Sequence, residues 1–217
     1  MGIQLDHAFI ACRQGAPEAD ALLQLGFVEG SPNTHPGQGT SNRRFFFDNF
    51  MLELLWLSDQ SEASSAQTRR TRLWERCSSQ EPGLSPFGIL FRPDGQSSTP
   101  PFPTWAYLPS YLPAGLAIDV AEGTTLQEPE LFYLSFLNGR KSTVEPTKHK
   151  LPFQRVSYAA VGVKNLATLS DAALAVNRQG QLRYFASDQP ILELHFEGAI
   201  TPDLDLRPAL PLVFRSG

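Results

Sequence analysis

Cysteine is nearly absent: Cys12 and Cys77 are the two in 217 residues. That excludes a disulfide scaffold, and the pair read as reduced thiols of a cytoplasmic protein. Neither has a basic neighbour arrangement that marks a nucleophile. Charge is also scarce, with 18% of residues Asp, Glu, Lys or Arg where about 25% is usual. The formal charge of -4 sets nucleic acid aside as a partner, because phosphate binding needs clustered positive charge. No apolar run reaches the ~18 residues of a membrane span. The start, Met1-Gly2-Ile3-Gln4-Leu5-Asp6, lacks the basic and apolar regions of a signal peptide. Glycine-rich phosphate loops, Gly-x-Ser-x-Gly elbows, Cys-x-x-Cys pairs and His-Glu-x-x-His helices are all missing.

What is present is aromatic and turn-rich. The chain is 41% hydrophobic and 11% aromatic, with 18 Pro and 16 Gly. Low charge with many aromatics is the opposite of a disordered composition. Residues 4–12 are apolar on both faces and predict a buried strand. Pro17 and the acidic Glu18 and Asp20 open a helix that Gly26 ends, with a short strand at 27–30. Turn chemistry fills 31–42. Strands at 44–48 and 51–57 follow, joined at Asp48-Asn49. Residues 1–60 therefore read as a β-α-β-β-β block.

The segment 61–150 reads as an irregular middle. A helical pattern surrounds 71–76, short strands fall at 86–92, 105–108, 116–120 and 131–136, and an exposed loop spans 93–103. Residues 138–150 have the look of a basic linker. The block 151–217 returns to strand, helix, strand, strand, at 155–163, 169–176, 181–186 and 190–196, with a tail behind. Two segments repeat in kind: each reads as a hairpin whose second strand carries Leu-Glu-Leu, centred on Glu53 and on Glu193.

Glu53 stands out because every neighbour from Phe50 to Leu57 is apolar. A carboxylate facing a core is penalised unless paired, protonated or bound to metal. His7 on the first strand is under the same constraint, so imidazole and carboxylate on adjacent strands could begin a divalent-metal site. Equally, His7 could be a hydrogen-bonded core histidine, and Glu53 could pair with Arg43 or Arg44. Glu193 reads as a ligand or as a core carboxylate, with His195 on the same face two residues on. His35 and His149 lie in polar loops that solvent would reach. Arg69, Arg70, Arg72 and Arg76 read as a solvated helix face or an anion site.

The order of these features resembles a known family. A β-α-β-β-β block opening Leu5-Asp6-His7-Ala8-Phe9-Ile10 and closing Met51-Leu52-Glu53-Leu54-Leu55 is similar to a module of the vicinal oxygen chelate superfamily. Glyoxalase I, extradiol dioxygenases and fosfomycin-resistance proteins belong to it. The loop His35–Asn42 resembles its glyoxalase-like branch. The likeness is strongest over 3–57 and weaker over 153–197.

The resemblance implies an α+β fold of repeated βαβββ modules, whose curved mixed sheets form a cup around one divalent metal (Zn, Ni, Mn or Fe). By position, His7, Glu53 and Glu193 would be the ligands, with Glu53 doubling as the catalytic base. Thr40, Asn42 and Arg44 would meet the substrate at the rim. Where further ligands belong, the final block has Tyr158, and the middle has Gly88 and Ser135. The implied activity is that of a lyase, isomerase or dioxygenase acting on a small oxygenated metabolite. Two other readings stay open: a metal-free protein that binds a small molecule in the same cup, and a homodimer whose cup is filled by side chains.

Overall fold

The first strand, β1 (Ile3–Ala11), is apolar on both faces because Ile3, Leu5, Ala8 and Ile10 pack in one apolar cluster and Phe9 in a second on the opposite face. In the computed structural model, which describes residues 2–79, 81, 83–137 and 144–217, β1 leads into helix α1 (Ala19–Gln24). The helix ends where expected. Gly26 takes φ +86, and the N–H groups of Gly26 and Phe27 donate to the carbonyls of Leu23 and Leu22, the double bond that closes a helix on glycine. Phe27 then enters the core rather than starting a strand. Inside the expected turn region sits β2 (Asn33–His35), followed by β3 (Thr40–Phe46) and β4 (Met51–Leu57).

Short helices α2 (Gln60–Ala63) and α3 (Leu73–Ser78) lead to β5 (Phe87–Pro93), β6 (Thr104–Tyr107), β7 (Ile118–Ala121) and β8 (Glu130–Tyr133). These strands join the first four in one eight-stranded sheet, ordered β2-β3-β4-β1-β5-β8-β7-β6. The order is its own mirror. In each half the first strand pairs parallel with the fourth, and β1 meets β5 antiparallel at the seam. The middle of the chain, which reads as irregular, is thus the second half of the sheet. Of the linker read at 138–150, residues 138–143 lie outside the described residues.

The last segment forms a second sheet from β9 (Val156–Val163), β10 (Leu182–Ala186), β11 (Ile191–Phe196), β12 (Leu204–Asp205) and β13 (Leu212–Ser216). Helix α4 (Asp171–Gln179) carries the chain from β9 to its parallel neighbour β10. Strand β11 then pairs on the opposite side of β9. The hairpin read at 181–196 is therefore not one, because β9 separates its two strands, and β12 and β13 add to what reads as a tail. Together the sheets make an α+β fold of two mixed, open sheets. No helix among the described residues is long and apolar enough to cross a membrane.

One face of the large sheet packs on the second sheet in a single apolar cluster, including Ile10, Leu52, Ile89, Val161, Leu194 and Phe214. Phe47, Phe153, Phe196 and Phe214 meet edge to face, with ring centroids 5.0 to 5.9 Å apart. Asn49, in the turn between β3 and β4, fastens the sheets by accepting the Val156 N–H at 2.9 Å and donating to its carbonyl at 2.7 Å. The opposite face carries a smaller apolar cluster under Leu73 of α3. The arginines of this region divide: Arg69 and Arg70 are exposed, as a solvated face would have them, and Arg72 and Arg76 are not. Arg72 and Arg76 both reach the buried carboxylate of Glu130, and Arg70 lies over Trp105 at 4.4 Å.

His149 is also enclosed, against Phe27 and Phe47. Its Nδ1 accepts the Val28 N–H at 3.0 Å and its Nε2–H donates to the Phe46 carbonyl at 3.0 Å, so the packed ring is neutral. Burial holds His149 below the ordinary value of 6.5, and it shifts His35 and His195 in the same direction. Below that pH the unfolded chain takes up protons that the folded chain resists, so stability present above pH 6.5 is lost as pH falls. The urea midpoint is expected to drop between pH 7 and pH 5. The drop should be shallower in His149→Gln, although that variant is weaker at pH 7. Equal slopes in the two proteins would contradict this assignment.

Candidate functional site

The pairing of β1 with β5 slips by one residue between Leu5 and His7. In a regular strand the side chains of Asp6 and His7 would point to opposite faces. The bulge re-aims them, and His7 Nδ1–H donates to Asp6 Oδ2 at 2.7 Å. Arg92 of β5 reaches across the seam to the other Asp6 oxygen, with Nε 3.0 Å away. The carboxylate thereby fixes the imidazole tautomer and its orientation. On the far side of the ring, His7 Nε2 lies 3.9 Å from Glu53 Oε1 on β4.

These two side chains open into a cavity of about 200 Å³ on the face turned away from the second sheet. Its walls are mostly apolar: Phe9 and Leu55 from the first half, and Leu90, Ile118, Phe132 and Leu134 from the second. Glu53 is 8% exposed, and its one ion-pair partner among the described residues is His7. Tyr111 and Leu112, in the connection between β6 and β7, line the cavity as well. That connection is fastened to the first half by Ser110 Oγ, which donates to the Pro36 carbonyl at 2.7 Å. The expected loop at 93–103 does not line this cavity.

A polar chain forms one wall. Tyr111 O–H donates to Gln38 Oε1 at 3.1 Å, and Gln38 Nε2 donates to Thr40 Oγ1 at 2.7 Å. His35 Nδ1–H donates to the same hydroxyl at 2.9 Å, while its Nε2 accepts from Asn33 at 3.2 Å. Both ring nitrogens are engaged, and burial keeps the imidazole neutral by pushing its pKa down. Burial likewise raises the Tyr111 hydroxyl, so it remains a donor. His35 and Gln38 are the cavity residues that the sequence conceals. Turn chemistry around them reads as solvated loop, and it is the β2–β3 pairing that folds them inward.

Of the residues expected to act together, the structure brings His7 and Glu53 to one place and leaves Glu193 elsewhere. Glu193 lies on β11 in the second sheet, where Arg215 donates to it and His195 Nε2 is 3.3 Å away. Tyr158 stacks on His195 with centroids 4.1 Å apart, also outside the cavity. Thr40, Asn42 and Arg44 do not line the cavity. Thr40 supports His35 from behind, and Asn42 accepts the Asn33 N–H at 2.9 Å. The Arg44 guanidinium packs 5.1 Å over Phe46, with Ser31 and Glu145 as partners. Cys12 and Cys77 are held as thiols by burial, which raises Cys77 to about 12.

The donor set for a metal is one-sided. The second half presents Leu90, Phe132 and Leu134 where it faces His7 and Glu53 across the cup. Among the described residues, no group of three or more His, Cys, Asp or Glu side chains is placed to hold a metal ion. A four-donor centre drawn from both halves does not fit these residues.

No family model matches the sequence, and no curated protein does. Among solved structures, a hypothetical protein from Staphylococcus aureus superposes with a TM-score of 0.53 at 11% identity, covering 99% of this chain and 100% of that one. A mutant of 4-hydroxymandelate synthase from Streptomyces coelicolor gives a TM-score of 0.40 at 14% identity, and this chain spans 62% of its length. The first likeness is one of fold alone.

The two carboxylates near His7 differ in what they hold. Asp6→Asn is expected to lower stability by about 3 kcal/mol, because Arg92, whose side chain is 8% exposed, loses its counter-charge. Glu53→Gln should leave the denaturation midpoint unchanged or raise it, because a desolvated carboxylate whose partner is 3.9 Å away gains little to offset its burial. Chemical denaturation of both variants checks the contrast, and a large loss in Glu53→Gln would show a partner that supports it.

Proposed function

We propose that the protein binds a small oxygenated or otherwise polar-headed metabolite in the cup of the eight-stranded sheet, as a glyoxalase-like member of the vicinal oxygen chelate type. The observation that carries this reading is the cavity of about 200 Å³, apolar on its walls, with His7 and Glu53 together at its polar corner. Small-molecule sites have this form, a mostly apolar concavity with a few converging polar groups. Two mirrored half-sheets joined at their first strands agree with the paired modules that the resemblance implies.

Within the cup, the apolar walls take the body of the ligand and exclude water from it. Asp6 accepts from His7 Nδ1–H and so orients the ring with Nε2 toward Glu53. Glu53 and His7 together can take a proton from a ligand O–H, N–H or activated C–H and return it, which is general acid–base work. Glu53 is the primary base in this reading, because it lies on the cavity wall and ends in two acceptor oxygens. Gln38 and Tyr111 form a neutral polar wall beside it.

Methyl-labelled protein titrated with ring-sized fragments tests the reading by NMR. Shifts are expected at Leu55, Leu90 and Ile118, with little change in Leu194 and Val161 of the shared core. Leu90→Trp fills the cup and should abolish the shifts. A response confined to the second sheet, or unaltered binding in Leu90→Trp, would sink the proposal.

A further inference from the structure

Gly88 has no backbone reason to be glycine. It lies within β5, outside the set of residues whose φ is positive, so its conformation is open to any side chain. What it provides is space. A methyl group there would lie 2.0 Å from Cε1 and 2.4 Å from Cζ of Phe9, so the Phe9 ring sits directly on the Gly88 backbone. From that seat it meets Phe132 of β8, with ring centroids 6.1 Å apart, although β5 runs between their strands. Strands two places apart are separated by about 10 Å. The rings bridge that distance over the one residue of β5 that has no side chain.

Phe9 and Phe132 both line the cavity, and so does Glu53, the register partner of Phe9 on β4. Phe9 therefore stands between Glu53 on one side and Gly88 on the other. Leaning over β5, its ring leaves the Glu53 side of the cup open. A side chain in a strand has few staggered positions, and a ring denied the place over Gly88 turns out into the cavity. The space now left is about 200 Å³. A cavity of about 150 Å³ walled by Leu, Ile and Phe holds benzene, so the cup takes one ring with a short polar head and has no room for a fused second ring.

We infer that the Phe9 ring, seated on Gly88, is the size filter of the cup: it limits the apolar body of the ligand to a single ring, and Gly88 sets its position. The inference rests on the reading of the cup as the binding site and adds the size of the ligand and the two residues that determine it.

Calorimetric titration with benzyl alcohol and 2-naphthylmethanol, one ring and two rings bearing the same head, tests it. Wild type is expected to bind benzyl alcohol about tenfold or more tighter than the larger and more apolar 2-naphthylmethanol. Phe9→Ala should reverse that order. Gly88→Ala should weaken benzyl alcohol by about tenfold or more, because the displaced ring fills the cup. Adding Phe9→Ala to Gly88→Ala should restore benzyl alcohol to its affinity for Phe9→Ala alone, a rescue that general damage to the fold would not give. Equal binding of the two alcohols by wild type, no gain of the larger one in Phe9→Ala, undiminished binding in Gly88→Ala, or no rescue in the double variant would overturn the filter. The cup still stands in those cases if Leu90→Trp abolishes the binding of benzyl alcohol. Failure of both alcohols in wild type and in every variant, or binding indifferent to Leu90→Trp, would overturn the cup as well.

Discussion

The antiparallel seam between β1 and β5 is the constraint on which the rest of the molecule depends. It joins two half-sheets into one surface of eight strands, long enough to curve around a cavity on one face and to cover a second sheet with the other. It also carries the single slip in register that turns Asp6 toward His7. Arg92 pairs with Gln4 just before that slip and reaches Asp6, so the ion pair that orients the imidazole spans the two halves. A change in this pairing would disturb the joint between the halves and the polar corner of the cup together. An arrangement of this kind places the His7 side chain on rigid strands rather than on a loop, which limits how far it can drift from its partners.

Symmetry in the backbone is not matched by symmetry in chemistry. Strand order and strand direction repeat across the seam, yet the first half supplies His7, His35, Gln38 and Glu53 while the second supplies Leu90, Ile118, Phe132 and Leu134. The first half therefore provides the histidines and the carboxylate of the cavity, and the second provides most of the apolar enclosure together with Tyr107 and Tyr111. The apolar half also strengthens the electrostatics of the polar half. A carboxylate beside leucine and phenylalanine interacts with a ligand charge through a medium of low dielectric, where the same contact is worth several times its value in water. The connection bearing Tyr111 completes the enclosure, since its hydroxyl closes the polar chain through Gln38 and Thr40 to His35.

Much of the first half was legible in the sequence. The two-sided apolar run of β1, the helix stop at Gly26 and the hairpin at Asp48-Asn49 each rest on local chemistry, and each lies within a few residues of its expected place. The oddity of Glu53 was legible because no local pattern explains a carboxylate among Leu52, Leu54, Leu55 and Trp56, and the structure places it on a cavity wall. The second half was concealed for a physical reason. Strands β6, β7 and β8 have four residues each, too few to show a period, and long Pro- and Gly-rich connections separate them. Their kinship with the first half lies in pairing order, which no local signal records. His35 and His149 were misread for a related reason: polar neighbours in sequence say little about a ring that is buried by distant segments.

Glu193 shows how far a motif can be trusted. It sits in the same Leu-Glu-Leu setting as Glu53, on a strand of similar length, and its environment gives it a different role. Arg215 reaches it from β13, and Arg215 is itself held by Asp203 at 2.8 Å, with His195 completing the cluster. The positive partners of Glu193 come from its own sheet, so that carboxylate ties β11 to β13 and has little charge left to offer a ligand. Around Glu53 the corresponding neighbours are Phe9 on β1 and Arg44 on β3, and the arginine is drawn off toward Ser31 and Glu145. What separates the paired carboxylate of the second sheet from the one on the cavity wall is the destination of the nearest guanidinium.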